Sequence, residues 1–101
     1  MNISENLFVC VAEEGAEIAQ ASDKILRFSK ERRYPPNLEN LTNEGKLLKE
    51  YYQLVAVVEY MQSNGYLKCP DKIAIERLKQ DKIANMLDHQ IVSVDEGTLT
   101  L

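Results

Sequence analysis

Four glutamates are the residues with the clearest capacity for chemistry, and three of them are close together in the chain. Glu13, Glu14 and Glu17 form an EExxE pattern, and in a helix Glu17 projects to the same side as the other two. Like charges at these spacings repel and weaken an isolated helix by about 0.2–0.5 kcal/mol per pair. Mg²⁺ relieves this repulsion, because it prefers oxygen ligands and two carboxylates one turn apart can share it. The alternative is a solvated acidic helix face.

The fourth acid, Glu50, favours the metal interpretation because it lies within an apolar helix face. On a helical wheel its nearest neighbours are Leu47, Leu54, Val57 and Met61. An ionised carboxylate in such surroundings costs on the order of several kcal/mol unless it is paired, protonated or bound to a metal. Two interpretations stay open: a salt bridge to Lys24 or Lys46 at the edge of the face, or a metal site inside a helical bundle.

Basic residues follow the acids on the first predicted helix. Lys24 stands seven residues after Glu17, which places it about 10 Å further along the same face. Acids that hold a metal beside such bases suit a polyphosphate ligand. For the basic residues at 30–33, interaction with the negative end of the helix dipole explains the pattern equally well. Lys24 is therefore the base that we single out as a phosphate contact.

Three amphipathic segments must position these residues. Helical periodicity predicts helices at about residues 4–30, 42–62 and 70–90. Ser4 suits the N-cap of the first helix, and Pro35 and Pro36 forbid its continuation into the connection. The tail, residues 91–101, is predicted as a short strand or as irregular structure. The sequence therefore predicts an all-α protein with one domain over residues 1–101.

Composition excludes several classes of function. The chain has 101 residues and a net charge of −4, and an acidic balance argues against binding a nucleic acid polymer. No apolar run is long enough to cross a membrane, and the N-terminus lacks the features of a secretory signal. Two cysteines without metal-type spacing favour a reduced, cytoplasmic protein. So small a chain buries a modest core, so self-association is expected.

In their order along the chain, these motifs resemble the MazG-like, all-α nucleoside triphosphate pyrophosphohydrolases, especially short stand-alone members of the phage type. That family's first motif, EExxE followed in this subgroup by Lys and Arg-Phe, matches the segment from Glu13 to Phe28. The second motif, ExxD, matches the stretch from Leu48 to Glu59. The third predicted helix is similar to the Lys-rich closing helix, and the resemblance spans roughly residues 5–90.

The resemblance implies an activity and an architecture. The reaction is hydrolysis of an NTP or dNTP between its α- and β-phosphates, giving NMP and pyrophosphate with Mg²⁺, or Mn²⁺ in its place. The fold is an antiparallel bundle of three main helices, which a partner subunit completes into a four-helix bundle. A homodimer or homotetramer is therefore expected.

Motif matching also implies a role for each site residue. The implied metal ligands are Glu14, Glu17 and Glu50. Glu13 and Glu14 are the catalytic carboxylates, with Glu13 orienting or deprotonating water, and Lys24 and Arg27 hold phosphate oxygens. These roles agree with the general chemistry of metal-assisted phosphoryl transfer, in which charge on the phosphates is neutralised.

The chain departs from the family pattern at Gln53, which stands where the second motif has Asp. An amide oxygen can ligate Mg²⁺, so Gln53 is kept as a fourth metal ligand, but it is neutral and cannot act as a base. The departure leaves an alternative open: a catalytically degenerate MazG-like module that binds nucleotides or another protein. A third interpretation is a small helical structural protein whose carboxylates lie on its surface.

Overall fold

The fold was analysed in a computed structural model that describes residues 1–33 and 35–100. It contains three helices: α1 (Ile3–Phe28), α2 (Asn43–Ser63) and α3 (Lys72–Asp95). Within the described residues there is no strand, and the prediction of an all-α protein is confirmed. The chain divides into two compact units, Met1–Lys68 with α1 and α2, and Cys69–Leu101 with α3. No helix among the described residues has the length and apolar character needed to span a membrane.

Each helix begins next to a polar residue that caps it. The caps are Asn2, Thr42 and Asp71. Each side chain accepts a hydrogen bond of 2.8–3.0 Å from the backbone N–H three residues later, which satisfies a donor that the helix itself leaves unpaired. Asn2 takes the capping role that the sequence suggested for Ser4, which lies inside α1. The predicted helix starts are therefore correct to within two residues.

The C-terminal end of α3 differs from the prediction. The helix continues to Asp95, so the prediction of a strand or irregular structure from Ile91 is wrong for residues 91–95. The helix ends where Gly97 adopts a left-handed conformation with φ of 79°. There the backbone N–H groups of Thr98 and Leu99 donate to the Ser93 carbonyl at 2.9 and 3.1 Å, a pattern typical of helix C-termini that stop at glycine.

Helices α1 and α2 pack against each other as an antiparallel hairpin. The end of α1 meets the start of α2, because the Asn43 side-chain amide donates to the Ser29 carbonyl at 2.9 Å. Towards the middle of both helices Glu17 lies near Glu50. Positions earlier in α1 therefore face positions later in α2, and this pairing sets the acids of the first helix opposite the acid of the second. Inclusion of α3 in a bundle, and its completion by a partner subunit, stay predictions.

Asn43 holds the connection between the two helices in place. It is 1% exposed, and besides its side-chain bond its backbone N–H donates to the Arg32 carbonyl at 2.7 Å. The next residue adds a bond from its N–H to the Lys30 carbonyl at 3.0 Å. Three carbonyls in the four residues after α1, those of Ser29, Lys30 and Arg32, are thus bonded to the first turn of α2, which fixes where the two helices face each other.

We expect Asn43→Ala to lower the free energy of unfolding by about 1–3 kcal/mol, because it removes the hydrogen bond that the buried Asn43 side chain donates to the Ser29 carbonyl. Urea denaturation followed by circular dichroism measures the change. Asn6→Ala, at an exposed position of α1, is the control and should change that free energy by no more than about 0.5 kcal/mol. Equal effects of the two substitutions would contradict the role assigned to Asn43.

Candidate metal centre and adjoining cavity

Three carboxylates meet at the interface between α1 and α2. Glu14, Glu17 and Glu50 each contribute one oxygen to a group in which all three atoms lie within 4.8 Å of one another. Oxygens bound to one cation at about 2.1–2.6 Å are separated by at most about 4–5 Å, so this spacing fits a shared ion. We call this group the glutamate trio. Glu14 and Glu50 are half-buried and Glu17 is exposed, so the trio has one open side.

The trio contains oxygens that have no partner. One oxygen of Glu14 and one of Glu50 are buried without a hydrogen bond. A buried polar atom in this state costs about 1–3 kcal/mol, and native proteins satisfy nearly all such atoms. Within residues 1–33 and 35–100 no basic side chain lies within 4.0 Å of Glu50. The salt bridge to Lys24 or Lys46 that the sequence left open is therefore not formed.

The surroundings of Glu50 favour the protonated form of its carboxyl group. Its pKa is raised from 4.5 to about 7. The largest cause is a hydrogen bond from the protonated form to Glu17, followed by burial and by the negative charge of Glu17 and then of Glu14. A proton thus offsets part of the repulsion within the trio. A divalent cation at this position would offset the same repulsion more completely and would also give the unsatisfied oxygens a partner.

A cavity of about 280 Å³ adjoins the trio, and Glu17 and Glu50 form part of its wall. Helix α1 also contributes Lys24, while α2 contributes Lys46 and Lys49. A third side of the wall comes from the connection between the helices, including Asn37, Glu39 and Leu41. The cavity therefore brings three ammonium groups next to a set of carboxylates. This arrangement suits a ligand whose negative oxygens contact the lysines while a cation joins the ligand to the trio.

The three cavity lysines differ in their partners. Lys49 is hydrogen-bonded to the Glu39 carboxylate, which is the largest cause raising the pKa of Lys49. Lys46 donates to the Pro35 carbonyl at 3.2 Å. For Lys24, no hydrogen bond or ion pair is formed within the described part of the chain. Lys24 is thus the lysine most directly available to an anion.

The other residues singled out from the sequence are neither members of the trio nor part of the cavity wall. Glu13 is exposed and outside the trio. Arg27 is not among the residues that line the cavity; its guanidinium pairs with Asp23 at 3.1 Å and lies 5.1 Å from the Phe28 ring centre. Gln53 is exposed, one turn beyond Glu50 on α2. The structure therefore brings together Glu14, Glu17 and Glu50, with Lys24 on the wall of the adjoining cavity.

Among the charged residues of the cavity wall, the sequence did not indicate a site role for Lys49 or Glu39, and it suggested a different partner for Lys46. Lys46 was considered only as a partner of Glu50, although its i−4 spacing places it on the same helix face. Lys49 had no signal of its own, since it precedes Glu50 directly. Glu39 lies in the connection between helices, whose path depends on Asn43 and on local turns. Helical periodicity carries no information about such a path.

Comparison with known proteins gave no match: no family model fits the chain, and no curated protein or solved structure is significantly similar to it. The resemblance to MazG-like enzymes is therefore carried by the quoted motifs alone and stays a prediction.

The raised pKa of Glu50 predicts a pH-dependent stability in the absence of divalent ions. Between about pH 4.5 and 7 the unfolded chain has lost this proton while the folded chain keeps it, so this group makes stability fall as pH rises, with the loss complete above about pH 7. Glu50→Gln mimics the protonated form and lacks this contribution. Its free energy of unfolding relative to wild type should therefore increase across that range.

Urea denaturation in a chelator at several pH values tests this expectation. Glu59→Gln, which neutralises an exposed acid of the same helix, is the matched control and should follow the wild-type pH profile. Parallel profiles for wild type and Glu50→Gln would show that Glu50 ionises normally in the folded protein.

Proposed function

We propose that this protein is a Mg²⁺-dependent nucleotide pyrophosphohydrolase that cleaves an NTP or dNTP to NMP and pyrophosphate. The observation that carries the proposal is the glutamate trio, with its unsatisfied buried oxygens, beside a cavity that three lysines line. A merely structural hairpin gains nothing from this arrangement, since an apolar side chain at position 50 avoids the cost of burying a carboxylate. The order of motifs along the chain supports the same activity.

The donor set fits a hard divalent cation, because it consists of carboxylate oxygens from two helices. When bound, Mg²⁺ neutralises charge on phosphate oxygens and makes water more acidic. Glu14, Glu17 and Glu50 would hold the ion, and Lys24 would bind an oxygen of the phosphate chain. Mn²⁺ has similar ligand preferences and is expected to substitute.

Hydrolysis requires a new bond between a water oxygen and phosphorus while the bridging bond between the α- and β-phosphates breaks. A carboxylate must accept the proton that the water loses, and the departing phosphate oxygen must be stabilised. We assign to Glu13 the role of accepting the proton from water, because it directly precedes Glu14 and is exposed to solvent. The lysines of the cavity stabilise negative charge on the phosphate chain through charge-assisted hydrogen bonds.

Gln53 favours a second candidate function, in which the protein binds a nucleotide without cleaving it. Gln53 is neutral where the resembled family has an acid, so the site has one fewer negative charge and one fewer potential base. A chain with this change could bind a nucleotide without cleaving it, or use the nucleotide-bound surface to contact another protein. This is the degenerate-module alternative.

Incubation with a panel of NTPs and dNTPs in Mg²⁺ or Mn²⁺, followed by detection of pyrophosphate, tests the proposed activity. Glu50→Gln should reduce turnover by at least about 100-fold, since even residues that only support metal ligands contribute up to this factor. Mg²⁺ should raise the melting temperature of the wild type, by mass action, and leave that of Glu50→Gln unchanged. Glu59→Gln serves as the matched control and should retain both properties.

The outcome that contradicts the proposal is also specific. Intact nucleotides at high protein concentration would exclude the hydrolytic activity. If, in addition, the metal left the wild-type melting temperature unchanged and Glu50→Leu stabilised the fold, the trio would be a structural feature only.

The degenerate-module alternative makes a different prediction. Calorimetry with an NTP and Mg²⁺ should then show heat of binding without product formation, because the neutral amide of Gln53 cannot replace the missing acid. Gln53→Asp should bring turnover to a measurable level in the same assay that detects none for wild type. Equal and measurable turnover in the two proteins would show that position 53 is not decisive and would exclude this alternative.

A further inference from the structure

The connection between α1 and α2 forms one side of the candidate site. We call residues 35–41 the strap. Its Asn37, Glu39 and Leu41 line the cavity together with residues of both helices. A ligand in the cavity therefore touches or displaces the strap.

The strap holds its own shape through internal hydrogen bonds. The Asn37 side chain accepts from the Leu41 N–H at 2.9 Å and donates to the Leu41 carbonyl at 3.0 Å. The Asn40 N–H donates to the Asn37 carbonyl at 3.1 Å. An asparagine side chain thus replaces a backbone partner, and none of these bonds involves a residue of α2.

Two lysine side chains tie the strap to α2. Glu39 binds the ammonium of Lys49, and the Pro35 carbonyl accepts from Lys46. The side chains of Lys49 and Glu39 are 36% and 57% exposed, and exposed ion pairs are weak and screened by salt. An anion with more charge than the Glu39 carboxylate can therefore readily replace it as the partner of Lys49. Both lysines that the strap engages belong to the cavity in which the phosphate chain is expected.

We propose that Glu39 is a built-in competitor of the ligand: its carboxylate occupies Lys49 in the empty site, and a phosphate chain must displace it to bind there. This inference rests on the proposed function, because it assumes a phosphate ligand in this cavity. A chain of phosphates wins the competition by contacting Lys24 and Lys49 together and by carrying more charge than one carboxylate. A single phosphate lacks the second contact, so the competitor also favours ligands with linked phosphates.

A double-mutant cycle tests the competition, with calorimetric titration of inorganic pyrophosphate in Mg²⁺ as the measurement. Glu39→Gln should tighten pyrophosphate binding by about two- to five-fold, the range of an exposed ion pair. Lys49→Gln should weaken binding. In the Lys49→Gln background, Glu39→Gln should leave pyrophosphate affinity unchanged, because the ammonium group for which Glu39 and the ligand compete is then absent.

A matched control separates competition from general charge effects. Glu44→Gln removes the same charge from an exposed residue in the first turn of α2, outside the cavity wall, and should leave pyrophosphate affinity unchanged. Equal tightening by Glu44→Gln, or tightening by Glu39→Gln that persists without Lys49, would overturn the proposal. Weaker binding by Glu39→Gln would also overturn it, since Glu39 would then position Lys49 for the ligand.

The same titrations distinguish this inference from the proposed function. If wild type binds pyrophosphate and Glu39→Gln binds it equally well, the competitor role is wrong while the phosphate site stands. If neither wild type nor any of the variants binds pyrophosphate and no nucleotide is cleaved, the proposed function fails and this inference fails with it.

Discussion

Electrostatic repulsion among three carboxylates is the constraint on which the candidate site depends. The pairing of α1 with α2 places Glu14 and Glu17 against Glu50, although a nearby basic side chain or an apolar residue at position 50 would make the hairpin more stable. The surroundings of Glu50 raise its pKa to about 7, so a proton there is favoured and compensates part of the repulsion. One buried oxygen of Glu14 and one of Glu50 still have no hydrogen-bond partner. The charges and hydrogen bonds of the trio are therefore incompletely compensated within the chain, which is a property expected of a ligand site.

Hydrogen bonds at the other end of the hairpin maintain this unfavourable juxtaposition. Asn43 ties the first turn of α2 to the residues that follow α1, and so fixes which positions of the two helices face each other. The same connection contains the strap, which lines the cavity. There the Glu39 carboxylate binds Lys49 and the Pro35 carbonyl accepts a hydrogen bond from Lys46. The connection between α1 and α2 thus has two effects. It fixes which positions of the two helices face each other, and its Glu39 neutralises one of the lysines beside the trio.

The sequence allowed the local parts of this structure to be predicted, because local patterns determine them. Helical periodicity and the prolines at 35 and 36 located α1 and α2, and the position of Glu50 within an apolar face indicated that it points towards the first helix. The role of Glu39 depends on a non-local contact with Lys49, which no spacing encodes. The end of α3 was missed although Ile91, Val92 and Val94 continue an apolar helical pattern up to Gly97, which supplies the stop signal.

The charge balance of the site bears on how many cations it suits. Three ionised carboxylates carry three negative charges, and one divalent ion leaves a single negative charge that lysines of the adjoining cavity can offset. A second divalent ion would make the trio a site of net positive charge, and the residue that would help to hold it, Gln53, is neutral and exposed. The arrangement therefore favours one cation. Under the proposed function, the lysines would take the place of a second ion as partners of the phosphate oxygens. The neutral amide of Gln53 and the three lysines would then complement each other, because a trio with less negative charge needs less metal and leaves phosphate binding to side chains.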